Sequence, residues 1–126
     1  MNRDFGSNYT ASQNYAHAAV VPSTVTSSSI DLGSGENCAF LIDVSAVAAG
    51  GTLDITLQDS ADNSTFANST VPGNDLTLAQ ITATGLYEVK VPNPGKRYQR
   101  LSMVVGTANV TFGVIGVKLD GYVSEV

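Results

Sequence analysis

Charged side chains are scarce in this chain. They make up 13% of its 126 residues, about half the usual share for a globular protein. A surface so poor in charge must be covered by Ser, Thr, Asn, Gly and Ala, and it suits packing against other protein. Cations are the scarcer sign: 6 Lys and Arg stand against 11 Asp and Glu, for a net charge of -5. That balance argues against nucleic acid as a main partner, because phosphate binding needs clustered cations. It argues against an anionic membrane surface for the same reason. There is one cysteine, Cys38, so an intrachain disulfide and a Cys-based metal framework are both excluded. There is one histidine, His17. It sits in a polar segment, where a solvated side chain is expected, and a His-based catalytic triad has almost nothing to draw on. Neither a Gly-rich phosphate loop followed by Lys and Ser or Thr nor zinc-ligand spacing occurs, and no cofactor is expected. No apolar run approaches the roughly 20 residues that span a bilayer as a helix. No basic flank leads into an apolar stretch near Met1, so no secretory signal is expected.

What is present is a series of short alternating segments. The length suits one domain with one core. Leu53, Ile55 and Leu57 alternate with Asp54, Thr56 and Gln58, the pattern of a half-buried strand. Phe40, Ile42 and Val44 share one face of the apolar run from Cys38 to Val47, with Ala39, Leu41 and Asp43 on the other; such a run is a buried strand or a short buried helix, and its β-branched content and flanking glycines favour strand. Cys38 heads that run and is expected as a small buried hydrophobe. Tyr87, Val89 and Val91 alternate with Leu86, Glu88 and Lys90. Leu101, Met103 and Val105 alternate with Tyr98, Arg100 and Ser102. Further strands are expected over Thr24–Leu32 and Val110–Asp120, where Gly113 and Gly116 suggest bulges or close backbone approach. Leu76–Ile81 reads as a short strand or a helical turn. Turn chemistry at Gly33–Asn37, Ala48–Gly51, Asp59–Ser64, Pro92–Gly95 and Gly106–Asn109 separates these segments. Seven or eight strands with short connections predict an all-β, antiparallel β-sandwich. A jelly roll and an immunoglobulin-like arrangement both fit. The lack of Trp and of a second Cys counts against a true immunoglobulin domain.

Residues 1–17 show no strand or helix period and read as an extended or disordered N-terminal arm, with the sandwich domain over 18–126. Phe5, Tyr9 and Tyr15 interrupt its polar run. Aromatics of this kind suit an arm that docks on a neighbouring subunit, so the three are candidate interface residues. Lys96-Arg97-Tyr98-Gln99-Arg100 is the basic cluster of the chain. Arg97, Tyr98 and Arg100 are candidate interface residues there, with the arginines facing carboxylates of a neighbouring protein. Asp59-Ser60-Ala61-Asp62-Asn63-Ser64 has the oxygen ligands of a calcium loop but lacks the glycine and the distal Glu of an EF-hand. A hairpin turn bonded to its own backbone accounts for it better.

The order of these segments carries a resemblance. Ile30-Asp31-Leu32-Gly33 is followed by Ile42-Asp43-Val44, then Ala49-Gly50-Gly51-Thr52-Leu53, then Leu57-Gln58-Asp59-Ser60-Ala61-Asp62-Asn63-Ser64-Thr65-Phe66. Leu76-Thr77-Leu78-Ala79-Gln80, the turn at Val91-Pro92, and Lys96-Arg97-Tyr98-Gln99-Arg100-Leu101 come after. From Val25 to Asp120 the series resembles the capsid cement (decoration) proteins of short-tailed bacteriophages, the kind first known from Bordetella phage. The resemblance implies a jelly roll on the outer surface of an icosahedral head, made in the bacterial cytoplasm. It implies binding across junctions of the major capsid protein, self-association as a dimer or trimer, and neither catalysis nor a cofactor. Two other roles fit a β-sandwich: a glycan- or receptor-binding domain of a fibre or spike, and a calcium-dependent hydrolase. Sugar sites usually present stacked aromatics, and here Trp is absent and the five Tyr are scattered. The lone histidine weighs against the enzyme.

Overall fold

The computed structural model describes residues 9–33 and 37–119. Nine strands occur in them: β1 (Tyr9–Val20), β2 (Ser23–Thr26), β3 (Ile30–Asp31), β4 (Cys38–Val47), β5 (Thr52–Ser60), β6 (Ala67–Asn68), β7 (Gly85–Val91), β8 (Tyr98–Gly106) and β9 (Val110–Leu119). No helix occurs among the described residues. The first sheet has the order β1-β9-β4-β7 and the second β2-β8-β5-β6, with β3 also paired to β8. Every strand pairing is antiparallel. The all-β sandwich expected from alternation is the observed architecture.

Alternation explains which side chains fill the space between the sheets. Phe40, Ile42 and Val44 of β4 are buried from the first sheet, beside Val89 and Val91 of β7 and Val110, Phe112 and Val114 of β9. Leu53, Ile55 and Leu57 of β5 meet them from the second sheet, with Leu101, Met103 and Val105 of β8. Each strand thus presents one apolar face to a common core, and removal of that face from water drives the two sheets together. Cys38 is buried at the head of β4, and burial pushes its thiol up to about 12.

Three segments depart from expectation. The first is the boundary between arm and domain. β1 runs from Tyr9 to Val20, so residues 9–17 belong to the sandwich as the outer strand of the first sheet, paired along β9. Met1–Asn8, including Phe5, lie outside the described residues. The physical reason lies in the register. Gln13 and Tyr15 oppose Ile115 and Val114, and Tyr15 and Ala18 oppose Val114 and Phe112. Two bulges within five residues insert Asn14, and then Ala16 and His17, against a shorter run of β9. Each bulge breaks the period of two by which a strand is recognised. The second departure is the split of Thr24–Leu32 into β2 and β3, which follow one another along the same edge of β8. Between them Ser27 Oγ accepts the Leu101 N–H at 2.9 Å, and Ser27 N–H reaches Leu101 O. The third is Leu76–Ile81, which is neither strand nor helical turn. It touches β5 through single bridges at Thr56–Thr77 and Leu53–Ile81.

The first bulge in β1 turns Asn14 inward, where it is 4% exposed. Its Nδ2 donates to Ser28 O at 2.8 Å, and its Oδ1 accepts the Gly116 N–H at 3.2 Å. One amide therefore ties β1, the β2–β3 connection and β9 together. Gly116 has to be glycine for this contact, because a Cβ there would lie 2.6 Å from Asn14 Oδ1.

Candidate functional site

The basic cluster lies at the start of β8, on the outer face of the second sheet. Arg97 Nε donates to Asp31 Oδ1 at 2.7 Å and Arg97 Nη2 to Asp31 Oδ2 at 3.0 Å. β3 brings Asp31 there, since Asp31 is the register partner of Tyr98. The bidentate pair holds the Asp31 carboxyl below its ordinary value, helped by the Gly33 N–H, and raises that of Arg97. Both side chains are about half exposed, so the pair lies in solvent-screened surroundings. The Arg97 guanidinium also lies 5.2 Å from the Tyr98 ring centre. Arg100 lies 4.0 Å over Phe66 and donates to Gln58 Oε1 at 2.9 Å. Lys96 Nζ stands 3.7 Å from the buried Asp59. The structure therefore brings Arg97 and Tyr98 together and places Arg100 one register step along β8. It gives each of these cations a partner within the chain.

The acidic loop between β5 and β6 uses its Asp62 and Ser60 oxygens on itself, while Asn63 Oδ1 accepts the Ser29 hydroxyl at 2.6 Å. Asp62 Oδ1 accepts the Ser64 and Thr65 N–H groups, both at 2.9 Å, and the Ser60 hydroxyl at 2.8 Å. Ser60 Oγ accepts the Asp62 and Asn63 N–H groups in turn. Those bonds, the Thr65 N–H first among them, lower the Asp62 carboxyl to about 2. Asn63 takes a left-handed backbone conformation (φ 61°), which Asn tolerates well in turns. This is the hairpin turn expected from the residue types.

Tyr15 is separate from the basic cluster. It is half-buried and its ring stacks on Phe112, with centres 5.4 Å apart and planes 14° from parallel. It borders a hollow of about 400 Å³ on the first sheet, together with Gln13, His17, Asp43, Ser45 and Ile115. The second bulge of β1 builds this hollow. Ala16 and His17 pass Gly113 so closely that a Cβ on Gly113 would lie 3.0 Å from His17 Cα. Gly113 leaves the floor open where a side chain would otherwise stand. His17 Nε2 and Ser45 Oγ are hydrogen-bonded at 3.1 Å along one wall. Around it the outer face of the sheet mixes exposed apolar side chains with polar ones, Glu88 and Lys90 among them. Ile115 is 47% exposed and opposes Leu41, while Leu86 is 70% exposed and opposes Asp43. Sequence reasoning placed Leu41 and Asp43 on one face of β4. The partnership with Gly113, Ile115 and the β1 bulge depends on the strand order of the sheet, for which no local signal exists.

Two antiparallel sheets packed face to face define an all-β sandwich domain. The Bbp16 family model matches residues 9–119, and the chain belongs to the Bbp16 family, which is phage-associated. Among solved structures, the crystal structure of SPBc2 prophage-derived protein YomS is similar, with a TM-score of 0.60 at 15% sequence identity. That match covers 89% of this chain and 93% of the other, and it shows a shared fold. No curated protein sequence matches the chain.

Proposed function

We propose that this chain is a structural virion protein of a bacteriophage, a cement (decoration) protein that binds the outer surface of the head. There it holds adjacent copies of the major capsid protein together. Membership of the Bbp16 family over residues 9–119 carries the proposal. The strand orders β1-β9-β4-β7 and β2-β8-β5-β6 support a jelly-roll description of the sandwich, since consecutive strands pass repeatedly from one sheet to the other. The surface chemistry supports an adhesive role. Charge density is low, and apolar side chains such as Leu86 and Ile115 are exposed on a sheet face. Many copies with modest contacts act together on a closed shell, where multivalency multiplies the effect of each. Self-association as a dimer or trimer belongs to the same proposal.

The protein needs no catalytic group for this role. Cys38 is buried with its thiol raised to about 12, far from a nucleophile's range at neutral pH. His17 is exposed and bonded to Ser45.

Heads assembled with and without the protein are to be compared under heating and at low salt. The expected result is release of the genome at lower temperature from heads that lack it, with the protein co-sedimenting with intact heads. Equal stability together with no co-sedimentation would sink the proposal.

A further inference from the structure

The outer face of the first sheet carries one carboxylate that nothing in the described chain answers. Asp43 is exposed on β4, between Gly113 of β9 and Leu86 of β7. It makes no hydrogen bond or ion pair with a described residue. The other described carboxylates all have partners. Asp31 has Arg97, Asp54 has the Gln80 amide, Asp59 has Lys96, Asp62 has its own turn, Asp75 accepts the Lys90 N–H and Glu88 stands beside Lys90. Asp43 also borders the hollow over Gly113, with the apolar Ile115 on its rim and Leu41 and Leu86 flanking it on the same outer face.

We infer that this hollow is a docking site for a lysine or arginine side chain of a different protein, with Asp43 as the receiving carboxylate. The inference rests on the cement-protein reading and names the face used in it. Covering the apolar residues around Asp43 takes its carboxylate out of water. That costs free energy unless the incoming surface supplies a positive charge or several donors. A lysine or arginine fits both halves of the site, because its methylene stem lies along Ile115 and Leu86 while its head reaches Asp43. His17, and Ser45 beside Asp43 on β4, add polar groups to the lining, and Gln13 adds an amide.

The described cations of a second copy are already engaged, and Arg3 lies outside the described residues. Lys90, Lys96, Arg97, Arg100 and Lys118 each have an intrachain partner. Two copies meeting through this face would bring two Asp43 carboxylates onto one interface with no described cation free to pair with them. The occupant that fits the cement-protein reading is a heterologous surface with a basic residue among apolar ones.

The test uses purified full-length protein and heads of its phage assembled without it, with binding read by co-sedimentation across a salt series. Asp43→Asn is expected to weaken binding about tenfold or more and to flatten its salt dependence. Leu86→Ser is expected to weaken it too. Asp54→Asn makes the same charge change on the other sheet and is expected to leave binding unchanged. Asp43 and Leu86 are exposed, so unchanged melting temperatures will show that the fold is intact. Wild-type binding that survives Asp43→Asn would overturn the inference and leave the cement proposal standing. Loss with Asp54→Asn in place of Asp43→Asn would move the contact to the other face and overturn it as well. Self-association of the wild type that Asp43→Asn abolishes would overturn it in favour of a second copy. Failure of the wild-type protein to bind heads would overturn both the inference and the reading beneath it.

Discussion

Replacing Gly116 with alanine puts a methyl group into occupied space. A Cβ at that position lies 2.6 Å from Asn14 Oδ1 and 2.6 Å from Ile30 Cδ1, whereas comfortable carbon contacts fall at about 3.5–4.0 Å. Ile30 can swing its terminal methyl aside. Asn14 is more constrained, because its amide is buried and held by Ser28 O and the Gly116 N–H. Displacing it leaves buried polar groups without partners, at about 1–3 kcal/mol. Overpacking contributes about 1–3 kcal/mol more where the site cannot relax. Loss of glycine's freedom in the unfolded chain offsets about 0.4–1 kcal/mol of this. The net expectation is destabilisation by about 2–4 kcal/mol, which for a domain of this size lowers Tm by roughly 10 °C. Thermal and urea unfolding measure it, and the slope of the urea transition should not change. A double-mutant cycle sharpens the test. In an Asn14→Ala background the new methyl enters vacated space, so Gly116→Ala should cost at least about 1 kcal/mol less than in the wild type. A Gly116→Ala protein as stable as wild type, or strict additivity with Asn14→Ala, would refute the packing argument.

Acid should loosen the β5–β6 turn late. The Asp62 carboxyl is lowered to about 2 in the folded chain. Its stabilising bonds are therefore complete above the unfolded carboxylate range, near pH 4, and are lost as the pH falls through about 2. The amide resonances of Ser64 and Thr65 should titrate with a midpoint near 2, and a midpoint at 4 would contradict the bonding described. Cys38 should resist thiol reagents at pH 8, where a thiol raised to about 12 is roughly one part in ten thousand ionised. Labelling should become fast in urea, and rapid labelling of the native protein would show that burial has been misjudged. Phe40→Ala removes a fully buried ring from the centre of the core and should cost about 3–5 kcal/mol. A loss under about 1 kcal/mol by urea unfolding would show a core that collapses around the gap.

The parts of the fold that were legible from sequence share one property: a buried face that repeats every second residue. Leu53–Leu57 and Leu101–Val105 announce strand, face and burial at once, because period two in a half-buried strand has no helical counterpart, whereas the apolar run around Phe40–Val44 needed its β-branched content and flanking glycines to tell strand from helix. β1 was illegible because Asn14 and the Ala16–His17 pair shift its phase twice within five residues. A polar strand with its phase broken twice looks like an arm. β6 and the single bridges of Thr77 and Ile81 depend on proximity to β5, which only the assembled sheet provides. The same distinction holds for the surface. The charges of Arg97 and Arg100 were visible, but Asp31 and Gln58, their partners, stand 66 and 42 residues away. Asp43 was placed on the correct face of β4, yet its isolation emerges only when every other described carboxylate has found its partner.

The strand order has a consequence for how the protein is made. In the first sheet β9 lies between β1 and β4, so it is central in space and the last of the nine described strands to leave the ribosome. Until Val110–Leu119 has been synthesised, β1 has no neighbour to pair with and β4 has β7 alone. The hollow over Gly113 cannot exist in that state, because one wall and the floor are missing. A nascent chain therefore exposes two unpaired strand edges through most of synthesis, and it cannot present the finished first-sheet face to any partner before β9 inserts. Completion of that sheet and formation of the hollow both wait for β9.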